Sequence, residues 1–378
     1  MGWAHAGAGL VGVVLILGVL WDAFETVVLP RRVVRPARLT RAFYRATWTV
    51  WLWLARTLRG GGEAEASSPR ESFLAFYGPL ALILLLTVWA GALVVGFGTL
   101  QWAFGSRLAA IHGTVGYGTD LYMSGTTLFT VGLGDVTPTA ALAQALTVIE
   151  GGTGLAFLAM VIGYLPILYQ AFSRREVNIS LLDARAGSPP SAVELLRRNH
   201  IQTRVDALAV FLRDWEGWAA QLLESHLSYP SLAYFRSQHE NQSWLAALTT
   251  ILDACALVMV GIDEIPTREA ELTFAIARHA AVDLSQIFNE PPRAPEPDRL
   301  PPDRVAALRT LLASAGLRLA EGPAADARLR GLRSLYEPYV GALSWHLAME
   351  LPPWLPPEGA TDDWQTTAWD DPELVREP

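Results

Sequence analysis

Three long apolar stretches most constrain this chain, because each can cross a bilayer only as a helix. Crossing the hydrocarbon takes about 20 apolar residues, and lipid offers no partner to backbone N–H and C=O groups. The first stretch spans residues 8–29, the second 73–100 and the third 140–172. The third is longer than the hydrocarbon core needs, so its end is expected to project beyond the membrane. Composition agrees: 51% of the 378 residues are hydrophobic and 17% are charged, against about 25% charged in soluble domains. The first stretch carries Asp22 and Glu25 near its end and has no basic run before it, so it reads as a retained span rather than a signal peptide.

Arginine placement gives the orientation. Between Pro30 and Arg70 nine Arg stand against two Glu, and Arg174 and Arg175 follow the third stretch. The loop 101–139 holds only Arg107. The basic regions therefore belong on the cytoplasmic side of the cell membrane, and the loop and the N-terminus on the outer side. Segment 39–58 is rich in Trp and Leu, but Arg41, Arg45, Arg56 and Arg59 fall mostly on one helical stripe. It reads as an amphipathic helix on the inner surface of the bilayer, with Trp48, Trp51 and Trp53 at the lipid boundary. Asp22 and Glu25 are expected to pair with Arg31 or Arg32 or to reach the lipid headgroups.

Beyond residue 172 the character changes, with 19 Arg against 29 Asp and Glu. Gly187-Ser188-Pro189-Pro190 is a linker, and Ser191 with Glu194 is a capping box opening a long helix. Further helices fit 242–261, 267–289, 302–320 and 324–350, with proline-rich breaks at 291–302 and 352–357. Segment 245–262 is nearly apolar, yet it has Asp253 at its centre and no flanking arginines, which favours a buried core helix over a span. The acidic tail 358–378 is expected to be disordered. The single Cys255 excludes an intrachain disulfide, and no Cys/His spacing suggests zinc. Asp183, His200, His226, His239 and Glu240 form no recognisable catalytic or metal pattern. No cofactor, enzymatic activity or nucleic-acid partner is expected, and the ligand or partner of this region is unknown.

The chemistry is concentrated between the second and third stretches. There Ser124, Thr126 and Thr127 precede Thr130-Val131-Gly132-Leu133-Gly134-Asp135, and Pro138 stands before the third stretch. This arrangement resembles the pore of the single-pore-loop potassium channel superfamily, prokaryotic two-transmembrane type, over about residues 73–172. The resemblance implies a re-entrant pore helix, a selectivity filter at 130–135, an inner helix after it, and a homotetramer in the lipid bilayer. Potassium would be the permeant ligand, held by the backbone carbonyls of Thr130, Val131, Gly132 and Leu133. The residue types suit that task. Stacked carbonyls can replace an ion's water shell, and the required backbone angles are tolerated by Gly132 and Gly134. One pore loop cannot enclose an axis, so several chains are needed. Val131 and Leu133 are expected to pack on the pore helix.

Three departures qualify the resemblance. Leu133 replaces the usual filter Tyr, and Thr126 stands where some relatives carry a Glu that pairs with the filter Asp, so Asp135 is expected to lack that partner. Thr114-Val115-Gly116-Tyr117-Gly118 repeats the filter spelling 16 residues earlier; no inner helix follows it, so it is assigned to the outer turret loop. In the third stretch, Glu150 either faces the cavity or braces the pore helix. Gly154 is the expected hinge, Gly151 and Gly152 suit close packing, and Pro166 should kink the helix near a constriction at 164–169. The expected architecture is an all-α membrane protein. It comprises an extra N-terminal span (1–30), a basic segment with the amphipathic helix (31–72), the pore domain (73–172), a helical cytoplasmic domain (173–357) and the tail (358–378). Its expected function is a potassium-selective channel subunit gated or assembled through the cytoplasmic domain. The alternatives are a weakly selective cation channel, or a receptor or scaffold with a vestigial pore.

Overall fold

A computed structural model describes residues 3–29, 38–57, 69–111, 113–200, 205–238, 241–262, 265–359, 362 and 365. The chain forms two compact units, one of Met1–Arg59 with Phe76–Gln170, the other of Gly60–Ala75 with Ala171–Pro378. It is almost wholly helical. Four helices are long and apolar enough to cross a membrane by length and composition, and three of them coincide with the apolar stretches of the sequence.

In the first unit, α1 (Trp3–Ala23) ends in a wider π-helical turn at Phe24–Val28. It is followed by α2 (Leu39–Thr57). After α3 (Pro69–Ala75), which belongs to the second unit, the chain passes through Phe76 into α4 (Tyr77–Ala103) of the first. Then come β1 (Leu108–Ala110), α5 (Tyr117–Leu128), β2 (Val136–Pro138) and α6 (Ala141–Ala186). Small residues let α1 approach α4. A Cβ on Gly12 would stand 2.8 Å from the Gly96 carbonyl oxygen, and one on Gly96 would stand 2.8 Å from Ile16 Cγ1. Close backbone approach of this kind replaces hydrophobic driving force between helices in lipid.

The two acids at the end of this helical stretch are buried and partnered; Arg31 and Arg32, named as possible partners, lie outside the described residues. Asp22 accepts hydrogen bonds from the Thr40 backbone N–H (3.2 Å), the Thr40 hydroxyl (2.5 Å) and Trp89 Nε1 (3.0 Å). It thus caps α2 and ties it to α4. Glu25 accepts from Trp21 Nε1 at 2.9 Å, with Arg38 Nε 3.6 Å away. On α2, Trp48 is buried against Tyr77, with ring centroids 4.6 Å apart, and Trp51 also faces Tyr77. Only Trp53, at 63% exposure, stands on an open face. Two of the three expected boundary tryptophans are therefore packing residues.

α6 holds 46 residues without interruption, about 69 Å at 1.5 Å per residue. That is more than twice the hydrocarbon thickness of about 30 Å. It runs through Pro166 as continuous helix.

The second unit contains the end of α6 and then α7 (Ala192–His200), α8 (Val205–Ser228), α9 (Trp244–Gly261) and α10 (Arg268–Phe288). It closes with α11 (Pro302–Ser314), α12 (Pro323–Ser334) and α13 (Glu337–Leu347). The Ser191 hydroxyl accepts the Glu194 N–H at 3.3 Å, but the Glu194 carboxylate turns to Arg197 and Arg198 instead of back to Ser191. The cap is therefore one-sided, and the helix it opens is described from Ala192 to His200. The helix expected over 324–350 is two helices. Pro338 has no N–H for the carbonyl four residues earlier, and the chain breaks at Leu335 and Tyr336. In the tail, Asp362 is ordered against Arg198 at 2.7 Å.

α9 is the fourth helix of spanning length, and it is buried almost entirely within its own unit. Its central Asp253 meets Arg299 and the Tyr336 hydroxyl, and Arg299 also contacts Glu337 at 3.1 Å. Asp253 and its neighbours hold the Arg299 guanidinium firmly protonated against the cost of burial.

A short segment around the 3-10 turn Pro230–Tyr234 gathers two arginines. Arg175 of α6 is buried and donates to the carbonyls of Leu232 (3.0 Å) and Phe235 (2.7 Å), with His226 Nε2 3.3 Å away. Arg236 donates to Glu71 of α3 (2.5 Å) and to the Leu347 carbonyl (2.7 Å).

Candidate functional site

The segment Thr130–Asp135 follows α5 directly. Backbone φ is positive at Thr130 (57°), Gly132 (56°) and Gly134 (76°), but not at Val131 or Leu133. Alternation of positive and negative φ is unavailable to a strand or helix. Glycine accepts the left-handed region without penalty; Thr130 does not, and it is a strained residue of the kind that collects at functional sites. The N–H groups of Val131 (2.8 Å) and Gly132 (3.2 Å) both donate to the Thr126 carbonyl at the end of α5. That leaves the side chains of Val131 (57% exposed) and Leu133 (63%) on the outside of the turn, not packed on their own pore helix as expected.

Asp135 is not without a partner. The Tyr122 hydroxyl donates to Asp135 Oδ2 at 3.0 Å. Thr126 plays no part in this; its hydroxyl donates back to the Met123 carbonyl at 3.0 Å. The brace expected to be missing arrives from one helical turn earlier. No local signal pointed to it, since Tyr122 and Asp135 are 13 residues apart.

The earlier Thr114–Gly118 motif has a defined structural place. The Gly116 carbonyl accepts the N–H groups of Thr119 (2.8 Å) and Asp120 (3.1 Å), and Gly116 N–H donates to the Thr119 hydroxyl (3.3 Å). The motif thus starts α5 rather than lying in a separate turret. Tyr117, its first helical residue, bonds Thr99 at 3.0 Å and packs edge-on against Trp102. Around the outer end, β1 and β2 pair antiparallel, Leu108 with Pro138 and Ala110 with Val136, and Ile111 N–H donates to the Asp135 carbonyl at 3.0 Å.

Two residues of α6 face α5. Glu150, 1% exposed, accepts the Ser124 hydroxyl, which also reaches the Val94 carbonyl at 2.8 Å. Of the two orientations open to Glu150, the structure shows the one toward the pore helix. Four residues on, a Cβ at Gly154 would lie 1.9 Å from the Leu128 carbonyl oxygen, whereas Gly152 has open space and Gly151 only an ordinary contact with Thr127. The close packing expected at Gly151 and Gly152 is found at Gly154. Ser124 and Leu128 share one face of α5, and Glu150 and Gly154 share one face of α6, as i, i+4 spacing requires. Among the described residues no group of three or more His, Cys, Asp or Glu side chains gathers to hold a metal.

Residues 82–171 match a family described as an ion channel. The chain is also similar to an uncharacterized membrane protein, YdjJ of Bacillus subtilis (strain 168). The two are 22% identical over 218 residues, covering 57% of this chain and 61% of that protein. No solved structure matches the chain. The matched region contains α5, the 130–135 segment and the first part of α6, so the site described above lies within the stretch that is similar to that ion-channel family.

Proposed function

We propose that this protein is a subunit of a potassium-selective channel, a homotetramer in the inner membrane with the filter at Thr130–Asp135 and the α7–α13 region in the cytoplasm. The observation that carries the reading is the alternating backbone at Thr130, Gly132 and Gly134. Carbonyls turned to one side by four chains around an axis would form the oxygen rings that replace a potassium ion's hydration shell. Glu150 and Gly154 would hold the pore helix against the inner helix, and the continuous α6 would carry movement from the cytoplasmic region to that contact.

The test is the reversal potential of the purified full-length protein in a planar bilayer, with potassium on one side and sodium on the other. A reversal near the potassium equilibrium potential is expected, and Gly132→Ala should abolish the current while Gly116→Ala preserves it. Leu133, which has no hydroxyl to anchor the filter, favours a second reading as a weakly selective cation channel; a reversal near zero would support it. No current under any condition would favour a receptor or scaffold.

A further inference from the structure

Outside the ion-channel domain, α2 presents three distinct faces. At 100° per residue, Thr47, Trp48, Trp51 and Ala55 share the face that packs toward Tyr77 on α4. The next face, with Leu39, Val50, Trp53 and Leu54, is apolar and exposed. The third carries Arg38, Arg41, Arg45 and Arg56 within an arc of about 60°.

Arg38 is occupied by Thr26 at 3.1 Å and Glu25 at 3.6 Å. Arg41 and Arg45, one turn apart, meet no carboxylate among the described residues. Partial burial, then repulsion from Arg38 and Arg45, pulls Arg41 below the ordinary guanidinium range. Two guanidinium groups beside an exposed apolar face thus need an anion that also brings hydrocarbon. Guanidinium forks match phosphate oxygens in pairs, and a helix with this division of faces lies in the bilayer interface.

We propose that Arg41 and Arg45 form a binding site for the phosphate headgroup of an anionic phospholipid, whose acyl chains lie along Leu39, Val50 and Trp53. Charge complementarity selects an anionic lipid over a zwitterionic one, and the adjoining apolar face selects a lipid over free phosphate. The site does not depend on what the pore conducts.

The test is native mass spectrometry of the full-length protein in detergent, titrated with dioleoyl phosphatidylglycerol, dioleoyl phosphatidylcholine or inorganic phosphate. One phosphatidylglycerol per chain should bind in preference to phosphatidylcholine. Each arginine near an anionic headgroup contributes about a fivefold gain in affinity, so R41Q/R45Q should lose about 30-fold. R41K/R45K should keep most of the preference. R45Q alone, at an exposed position, should lose about fivefold without affecting assembly, and it serves if the double variant fails to fold. Equal retention by R45Q and the unaltered protein would overturn the proposal. So would equal affinity for phosphatidylcholine, or displacement of the lipid by millimolar inorganic phosphate.

Discussion

The Tyr122 hydroxyl donates a 3.0 Å hydrogen bond to the Asp135 carboxylate, joining the second turn of α5 to the far end of the 130–135 segment proposed as the filter. It spans the stretch in which three residues hold positive φ, so it restrains a backbone that would otherwise relax. Tyr122→Phe removes only the oxygen. Single-channel recording of the phenylalanine variant should show open times shortened severalfold, with the chain still folded and assembled. Open times unchanged from the unaltered protein would show that Asp135 holds its place without the tyrosine.

Gly154→Ala places a methyl group where the Leu128 carbonyl oxygen already stands. Since backbone cannot step aside as a side chain can, α6 must move off α5, and overpacking of a tight contact costs about 1–3 kcal/mol or more. Thermal unfolding of the full chain in detergent should show a drop for Gly154→Ala and none for Gly152→Ala, whose position is open. Equal behaviour of the two would remove the packing role from Gly154.

His226 is buried beside Arg175, and burial followed by that neighbouring cation lowers its pKa to about 3. In the unfolded chain its pKa is about 6.5. The folded state therefore refuses a proton that the unfolded state takes up. Stability is fully present above pH 6.5 and declines as pH falls from there toward 3, by about 1.4 kcal/mol at pH 5.5. His226→Asn should flatten this part of the stability-against-pH curve. Its ring lies 5.2 Å from Trp244, so fluorescence of that residue, isolated by difference against Trp244→Phe, should stay level while the chain is folded and His226 neutral, and change only on unfolding or as the folded imidazole is protonated near pH 3. A curve with the same slope in the asparagine variant would assign the acid sensitivity elsewhere.

Asp253 and Arg299 form a buried pair in the second unit. Arg299→Met leaves the carboxylate unpaired in the core, and breaking a buried pair from one side costs about 3–5 kcal/mol. Replacing both, as D253L/R299M, should recover most of that loss, because the desolvated charge is then gone. Thermal midpoints of the single and double variants decide the matter; a double variant as unstable as R299M would mean that Tyr336 and Glu337, not the ion pair, carry the effect.

The left-handed backbone at 130–135 and the long apolar helices were legible because each follows from a local demand. Lipid requires long apolar helices, and a left-handed backbone calls for Gly132 and Gly134. The orientation of Glu150 was not legible, since a residue in a lipid-exposed helix has no amphipathic pattern to fix its face; the close approach at Gly154, four residues on, does so. The Tyr122 brace depends on how the turn after α5 folds back, which no periodicity encodes. The break before Pro338 did have a local signal, but the apolar spacing on both sides of it suggested one continuous helix. The three-residue strands β1 and β2 are too short for alternation to show, and their pairing depends on the loop between them.

That pairing has a thermodynamic consequence. Bringing the ends of a flexible loop of about 25 residues together costs about 3 kcal/mol of chain entropy, and the ribbon of Leu108–Ala110 with Val136–Pro138 closes such a loop. Everything from Ile111 to Asp135 is thereby a tethered cycle whose ends meet at one place. The order of the filter is then inherited from the ribbon and from α5, and modest tilting of α4 or α6 can be absorbed at the rim without unthreading the segment that an ion would touch.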